Sequence, residues 1–532
     1  MDEDEAAMTK AVFSTNGRIA LLNGHRLTCL IALSLGAMAR PLAATGPAEQ
    51  ATRAAIARVQ RIDPAIHAVL AIDPTAIAQA REIDALASSR GPLSGVPVLI
   101  KDNIDVAGPL PTTAGSLALI ENVTNRDAPL VARLRQAGAV VLVKTNLSEW
   151  ANIRSTHSLS GWSAVGGQTR NPHALDRNPC GSSSGSGAAV AAGIVDYAIG
   201  TETDGSITCP AAINGVVGFK PTVGLVSRTH IVPISVSQDT AGPITRTVLQ
   251  AAQVLSAIAG SDPADPATKQ ADARRADYAA GLGVDALQGK RLGVMRFASG
   301  FGTDGPFESA LAVLKAQGAT LVEIKSFDDK AIGPNEHIVL MTEFKAGLNA
   351  YLATTPPSVA SRTLADVIAF NTAHATQELA LFGQETFLEA DNSKGLDDPV
   401  YLKARATGKT AAGVNGIDQL LRADRLDALI GPTMPPAWKI DAVNGDQSAG
   451  GGAGSLAAVA GYPHLTVPMG AVKGLPVGLS FIGGKWDDAK ILALGFAYEQ
   501  ASHALFAPNF VPSIEQVAPA AQMLLPQRQI SR

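Results

Sequence analysis

The chain has 532 residues, 46% hydrophobic and 17% charged, which excludes a disordered chain or a coiled coil and points to a globular protein with a sizeable core. Lys and Arg total 43 against 47 Asp and Glu, and the net charge of -4 carries no basic stripe, so nucleic acid is not an expected partner. Three cysteines are too few for a disulfide scaffold and none of the nine histidines stands in a paired metal-binding motif, so a metal site is not expected.

The first distinctive stretch is the apolar run LTCLIALSL at Leu27–Leu35, with Lys10, Arg18 and Arg26 before it and Ala37-Met38-Ala39 after it. This is the layout of an export signal cut after Ala39, or near Ala44. The acidic start at Asp2–Glu5 does not suit that layout, whereas a start at Met8 does. The competing reading is a disordered tail with a short helix on a cytoplasmic protein. The run is too short to span a membrane and no other stretch approaches about 18 apolar residues, so the processed chain is expected to be free of the membrane, in the periplasm or secreted. The expected organisation is a signal peptide at 1–39, a folded domain at 40–515 with a helical block at about 336–390, and a tail at 516–532.

Residues 48–90 have helical periodicity: Ala55, Ile56, Val59 and Ile62, then Ile66, Val69 and Leu70 beyond a possible break at Pro64. Val98–Ile100 is a short buried strand running into Lys101. Asp127-Ala128-Pro129 caps a helix that ends at Gly138, and Ala139–Val143 is a second buried strand. Residues 155–187 form a long irregular segment rich in Ser, Gly, Asn and Pro; such segments are usually functional or disordered, and this one is expected to be functional. A small-residue helix at Ala188–Gly193 and strands at Tyr197–Thr201 and Val216–Phe219 follow, then a helix from a cap at Thr245 to about Ala259. Beyond a polar connector at 262–290 come a strand at Leu292–Met295, a helix and strand across Phe307–Ile324, and helices from Glu336 to about Ala390. Strands at Leu426–Ile430 and Val477–Ile482 and a helix at Ala489–Ala501 close the chain. This alternation predicts an α/β fold with a mixed central sheet covered by helices and a helical subdomain.

The stretch Cys180–Pro210, CGSSSGSGAAVAAGIVDYAIGTETDGSITCP, places two glycine- and serine-containing loops on either side of an apolar helix and strand. Glycine there lets main-chain N–H groups turn inward, as an oxyanion hole requires. Gly181–Gly185 also matches G-x-S-x-G with Ser183 as nucleophile, but the polar, proline-broken residues before it are no strand, so that match is set aside. A serine without a placed histidine needs another base, and Lys101, at the end of the apolar row GVPVLIK, is the candidate: desolvation lowers the pKa of an ammonium. Cys180 and Cys209 read as small buried packing residues rather than a disulfide or a thiol centre, and His173, His230 and His374 as structural histidines.

These residues resemble the amidase signature family. GVPVLIKDNID around Lys101, the serine loop, GTETDGSITCPAAINGVVGFKPT and GLPVGLSFIG at Gly474–Gly483 occur in the family's order, with the signature region at 160–222. Within the family the chain looks like the bacterial peptide amidases, through KTNLSEWAN at Lys144–Asn152 and SGWSAVGGQTRNP at Ser160–Pro172. The resemblance implies a Ser-Ser-Lys triad with Ser206 as nucleophile, Ser182 as bridging serine next to a cis peptide bond, and Lys101 as base. It also implies an oxyanion hole from Thr203, Asp204, Gly205 and Ser206, and no cofactor. The implied activity is hydrolysis of a carboxamide C–N bond through an acyl-enzyme, with C-terminally amidated peptides as substrate. The alternatives are an aryl or aliphatic acylamidase and a partner-dependent amidotransferase subunit. Glu202, Asp204 and Thr208 depart from the common family pattern, which has Asp, Gly and Arg there.

Overall fold

The computed structural model describes residues 45–516, so the expected signal peptide at 1–39 and all but the first residue of the expected tail lie outside the described residues. Helix α1 (Pro47–Ile66) leads to β1 (Val69–Ile72), and α2 (Ala76–Asp84) to β2 (Pro97–Lys101). Next come α3 (Pro129–Gln136), β3 (Val140–Thr145), the hairpin strands β4 (Trp162–Ser163) and β5 (Gly167–Gln168), α4 (Ser184–Ala191) and β6 (Tyr197–Glu202). They are followed by α5 (Thr208–Asn214), β7 (Val217–Lys220), β8 (Thr240–Thr245), α6 (Val248–Ile258) and α7 (Ala271–Arg274). The second half holds β9 (Arg291–Met295), α8 (Asp304–Ala316), β10 (Thr320–Ile324), α9 (Gly333–Leu352), α10 (Leu364–Ala373), α11 (Ala375–Glu378), α12 (Glu385–Asp391), α13 (Pro399–Ala412) and α14 (Asp418–Ala423). It closes with β11 (Ala428–Pro432), α15 (Gly454–Ala460), β12 (His464–Val472), β13 (Leu475–Ile482) and α16 (Asp488–Ser502).

Among the described residues, 11 strands form one mixed sheet in the order β1-β3-β2-β6-β8-β7-β12-β13-β11-β9-β10. Strand β2 lies parallel to both β3 and β6, whereas β8 pairs antiparallel with β6 and β7. Residues of β2 alternate between two cores: Val98 and Ile100 belong to one cluster and Leu99 to the other. A strand covered on both faces has no solvent side, which is why this one reads as an unbroken apolar run. The helical stretch packs Phe344, Leu348, Leu364, Val367 and Phe387 against Ala114, Leu119, Trp150, Val232 and Ile234. It thus shares a core with the loops that follow β2 and β3.

Local expectations fail where tertiary contacts override local pattern. Val69 and Leu70 are strand, because α1 stops at Ile66 with His67 in the left-handed region (φ 52°) and Val69 pairs with Thr145 of β3. The cap of α6 is Thr247 rather than Thr245: Gln250 N–H donates to Thr247 Oγ1 at 3.3 Å and Gln250 Oε1 accepts from Thr247 N–H at 3.1 Å, a capping box that Thr245, within β8, cannot make. At α3 the cap position is Ala128, while Asp127 accepts from Ala107 N–H at 2.7 Å and from Arg135 at 3.0 Å. Helix α4 begins at Ser184, ahead of the expected Ala188. α5, β8 and β12 had no signal in the sequence, since each carries a proline at Pro210, Pro243 or Pro468 that argues locally against helix or strand.

Candidate active site

Lys101 ends β2 and Glu202 ends its parallel neighbour β6, so the residues that follow both lie in the crevice at the carboxyl ends of adjacent strands, where open α/β sheets hold ligands. The Lys101 side chain is fully buried. Its Nζ lies 2.7 Å from Ser182 Oγ, 2.8 Å from Thr201 Oγ1 and 3.3 Å from the Thr201 carbonyl oxygen. Burial pulls the Lys101 amine down to about 7, against the opposing charges of Asp239 and Glu202. Asn103 Nδ2 donates to the same Thr201 hydroxyl at 2.9 Å and holds its orientation.

The serine loop assigns a different task to each hydroxyl. The Gly181–Ser182 peptide is cis, and the Ser182 carbonyl accepts from Ser148 N–H at 3.0 Å. Ser183 Oγ donates to the Thr201 carbonyl at 3.1 Å and Ser184 Oγ to the Cys180 carbonyl at 2.6 Å, so Ser182 is the one that meets the lysine. Ser183 sits at the cap position of α4 and no strand precedes it, so the G-x-S-x-G match is not an elbow here. The small residues are required by close approach: a Cβ on Gly185 would fall 2.3 Å from the Ala68 carbonyl oxygen, and one on Gly200 2.7 Å from Ser183 Oγ.

Ser206 is 8% exposed, and among the described residues its hydroxyl makes no hydrogen bond; its carbonyl accepts from Ser183 N–H at 3.2 Å. The N–H groups of Thr203, Asp204, Gly205 and Ser206 likewise find no protein acceptor among the described residues, and Gly205 has φ 77°, a left-handed turn that lets successive N–H groups share one concavity. Two residues that sequence reasoning did not single out, Asp239 and Gln238, help to hold this segment. Thr203 Oγ1 donates to Asp239 at 2.6 Å, Gln238 Nε2 donates to the Thr203 carbonyl at 3.3 Å, and Cys209 N–H donates to the Gly205 carbonyl at 2.7 Å. Glu202 Oε2 accepts from Ile207 N–H at 2.7 Å, Thr208 N–H at 2.9 Å and the Thr208 hydroxyl at 3.3 Å, so two of the three departures from the family pattern bond to each other.

The third, Asp204, meets Ser455 and Glu336 of α9; burial and then the Glu202 charge push its carboxyl up to about 6. Burial and Asp204 push Glu336 up to about 8, so the pair holds a proton at neutral pH, and Glu336 also accepts from Gln238 Nε2 at 2.7 Å. Burial likewise moves Asp239 up to about 6. Such departures gather at sites of chemistry. His173 is pushed down to about 4 by burial with its Nε2 3.1 Å from the Asn214 carbonyl, which is a structural placement.

The reading of the cysteines as mere packing residues is corrected: Cys180 and Cys209 form a disulfide, with Cα atoms 6.0 Å apart. Their loops converge on one buried cluster with Ala174, Ile213 and Trp438, an encounter that their sequence separation of 29 does not announce. Among the described residues no group of three or more His, Cys, Asp or Glu side chains gathers to hold a metal ion. A cavity of about 470 Å³ lined in part by Arg228, Pro233, Asp239 and Tyr351 touches none of Lys101, Ser182 and Ser206.

The family model described as Amidase matches residues 50–492. A protein of Arabidopsis thaliana named "Probable amidase" is 40% identical over 467 residues, covering 85% of this chain and 86% of that protein. A glutamyl-tRNA(Gln) amidotransferase subunit of Roseiflexus castenholzii is 36% identical over 501 residues, covering 88% and 95%. The crystal structure of native peptide amidase from Stenotrophomonas maltophilia superposes with a TM-score of 0.82 at 51% identity, covering 87% of this chain and 95% of that one.

Proposed function

The chain belongs to the amidase signature family, and from the geometry of its site together with its similarity to peptide amidase structures we propose that it hydrolyses C-terminally amidated peptides to the free acid and ammonia through an acyl-enzyme on Ser206. The observation that carries the hydrolytic mechanism is the buried Lys101 amine 2.7 Å from the Ser182 hydroxyl. An amine held at about 7 is substantially neutral at neutral pH and has a lone pair to accept a proton.

In the proposed reaction Lys101 takes the Ser182 proton while Ser182 takes that of Ser206, and the Ser206 oxygen adds to the amide carbonyl carbon. The carbonyl oxygen becomes an oxyanion facing the N–H groups of Thr203 to Ser206. Losing one such donor in a comparable site costs about 3 to 4 kcal/mol. The proton returns along the same relay to the amide nitrogen, the C–N bond breaks and ammonia leaves. Water then adds to the ester, passing its proton to the relay, and the acid is released as the proton returns to Ser206. No step needs a metal or organic cofactor.

The substrate class rests on similarity to peptide amidase structures over most of the chain. Export to an oxidising compartment is part of the same proposal, supported by the signal-like N-terminal sequence and the disulfide, since structural disulfides are rare where thiols are kept reduced. The test is ammonia release from an amidated peptide and from a simple aryl amide, with Ser206→Ala as control. Release from the peptide alone upholds the reading, release from the aryl amide alone replaces the substrate class, and silence on both favours a partner-dependent role such as that of the amidotransferase relatives.

A further inference from the structure

The reaction proposed above needs Ser182 and Ser206, which arrive on separate loops, to stay in register for proton transfer. Neither loop is regular where it matters: Ser182 precedes α4, and Ser206 lies between β6 and α5. Among the described residues one direct hydrogen bond joins segments 180–184 and 203–209, from Ser183 N–H to the Ser206 carbonyl, and at 3.2 Å it is long. The other direct tie is covalent. Cys180 stands two residues before Ser182 and Cys209 three after Ser206, so the disulfide joins the loops beside both serines.

The surroundings reinforce that tie. Asn214, fully buried, donates from Nδ2 to the Pro179 carbonyl at 2.8 Å and to the Pro210 carbonyl at 2.7 Å, which are the residues just outside the two cysteines. Cys180 has φ 57°, a left-handed conformation uncommon for a residue with a Cβ, and its N–H donates to Asn178 Oδ1 at 2.7 Å while its carbonyl accepts from Ser184 Oγ. Helices α4 and α5 already meet closely without the disulfide, since a Cβ on Gly187 would fall 2.9 Å from the Pro210 carbonyl oxygen. The helices therefore have a close contact of their own, while beside the two serines the direct ties are the one long hydrogen bond and the disulfide.

We propose that the Cys180–Cys209 disulfide is a positioning element for the reaction: with Asn214 bridging beside it, it holds the Ser182 relay in register with Ser206. The inference rests on the functional reading above. It is tested with Cys180→Ala/Cys209→Ala and Cys180→Gly/Cys209→Ala, the second removing the steric cost of a Cβ in the left-handed conformation. Each is assayed well below its melting temperature for kcat and KM on the amide that the wild type hydrolyses, and for the rate of Ser206 modification by a fluorophosphonate, read by mass. The expected result is a native circular dichroism spectrum, kcat lower by about tenfold or more, KM within about twofold and a parallel fall in modification rate, which a purely structural staple would not produce. A folded variant with kcat within about twofold of wild type overturns the proposal. So does failure of both variants to fold, which would make the disulfide a folding staple. A wild type that neither hydrolyses an amide nor takes up the phosphonate overturns the functional reading and this inference together; an active, modified wild type matched by its variants overturns this inference alone.

Discussion

Replacing Lys101 by methionine probes the buried amine through both stability and rate. Burial holds its folded-state pKa at about 7 against an ordinary 10.5, with Asp239 and Glu202 opposing the shift. That gap corresponds to roughly 5 kcal/mol by which the folded site disfavours the ammonium. Below pH 7 the amine is protonated in the folded and unfolded chain alike and the whole penalty is present. Between 7 and 10.5 only the unfolded chain keeps the proton, so stability rises with pH until both states are neutral. Removing the amine should therefore favour folding more at pH 6 than at pH 9, by roughly 3 kcal/mol. Comparing two pH values cancels the pH-independent terms, namely the lost contacts to Ser182 and Thr201 and the packing of the new side chain. Urea unfolding of wild type and Lys101→Met at both pH values measures the difference, and ammonia release is followed on the same samples. The variant should be inactive, and wild-type release should fall about tenfold from pH 8 to pH 6 as the neutral amine is depleted. An equal stability difference at both pH values, or a wild-type rate flat over that range, refutes Lys101 as a neutral buried base.

Ser206→Ala should lower kcat by at least about 10⁴-fold and Ser182→Ala by about 10² to 10⁴-fold, both with native circular dichroism; turnover within about tenfold of wild type in either would remove that serine from the relay. Gly185→Ala should destabilise the chain by about 2 kcal/mol or more, because its Cβ would press on the Ala68 and Asn146 carbonyl oxygens at 2.3 and 2.6 Å, and a melting temperature within about 2 °C of wild type would contradict that packing. Glu336 keeps its proton in the folded chain up to about 8 while the unfolded chain releases it near 4.5, so wild type loses stability as pH rises between them. The advantage of Glu336→Gln in thermal melting should therefore grow from pH 5 to pH 9; a constant difference would show that the Asp204–Glu336 pair holds no proton.

Much of the central sheet was legible because its strands are short apolar runs: the rows around Val98–Ile100, Ala139–Val143, Tyr197–Thr201 and Val216–Phe219 all lie on strands within a residue or two of their expected ends. Segments with proline or little periodicity were illegible, since TCPAAIN and TAGPIT become helix and strand through packing on both sides. Lys101 could be picked out from its position after an apolar strand, and the serine loop from its composition. Thr201, Asp239, Gln238 and Glu336 could not, because their relevance comes from contacts across the chain; Glu336 reaches the site through Asp204 and Gln238 from the start of the expected helical block.

By itself the sequence determined the alternation of helix and strand, the buried strand that ends in a lysine, and the small residues that allow two loops to approach a sheet. These depend on backbone sterics and on periodicity over a few residues, which neighbours in the chain set. Apart from the family resemblance, which had already named Ser182, only tertiary structure decided which of three adjacent serines faces the lysine, and it alone decided how far burial lowers that lysine's pKa and that Cys180 and Cys209 are joined. Those outcomes turn on hydrogen-bond partners and desolvation supplied by residues 81 and 100 positions away from Lys101, and no local pattern encodes distances of that kind.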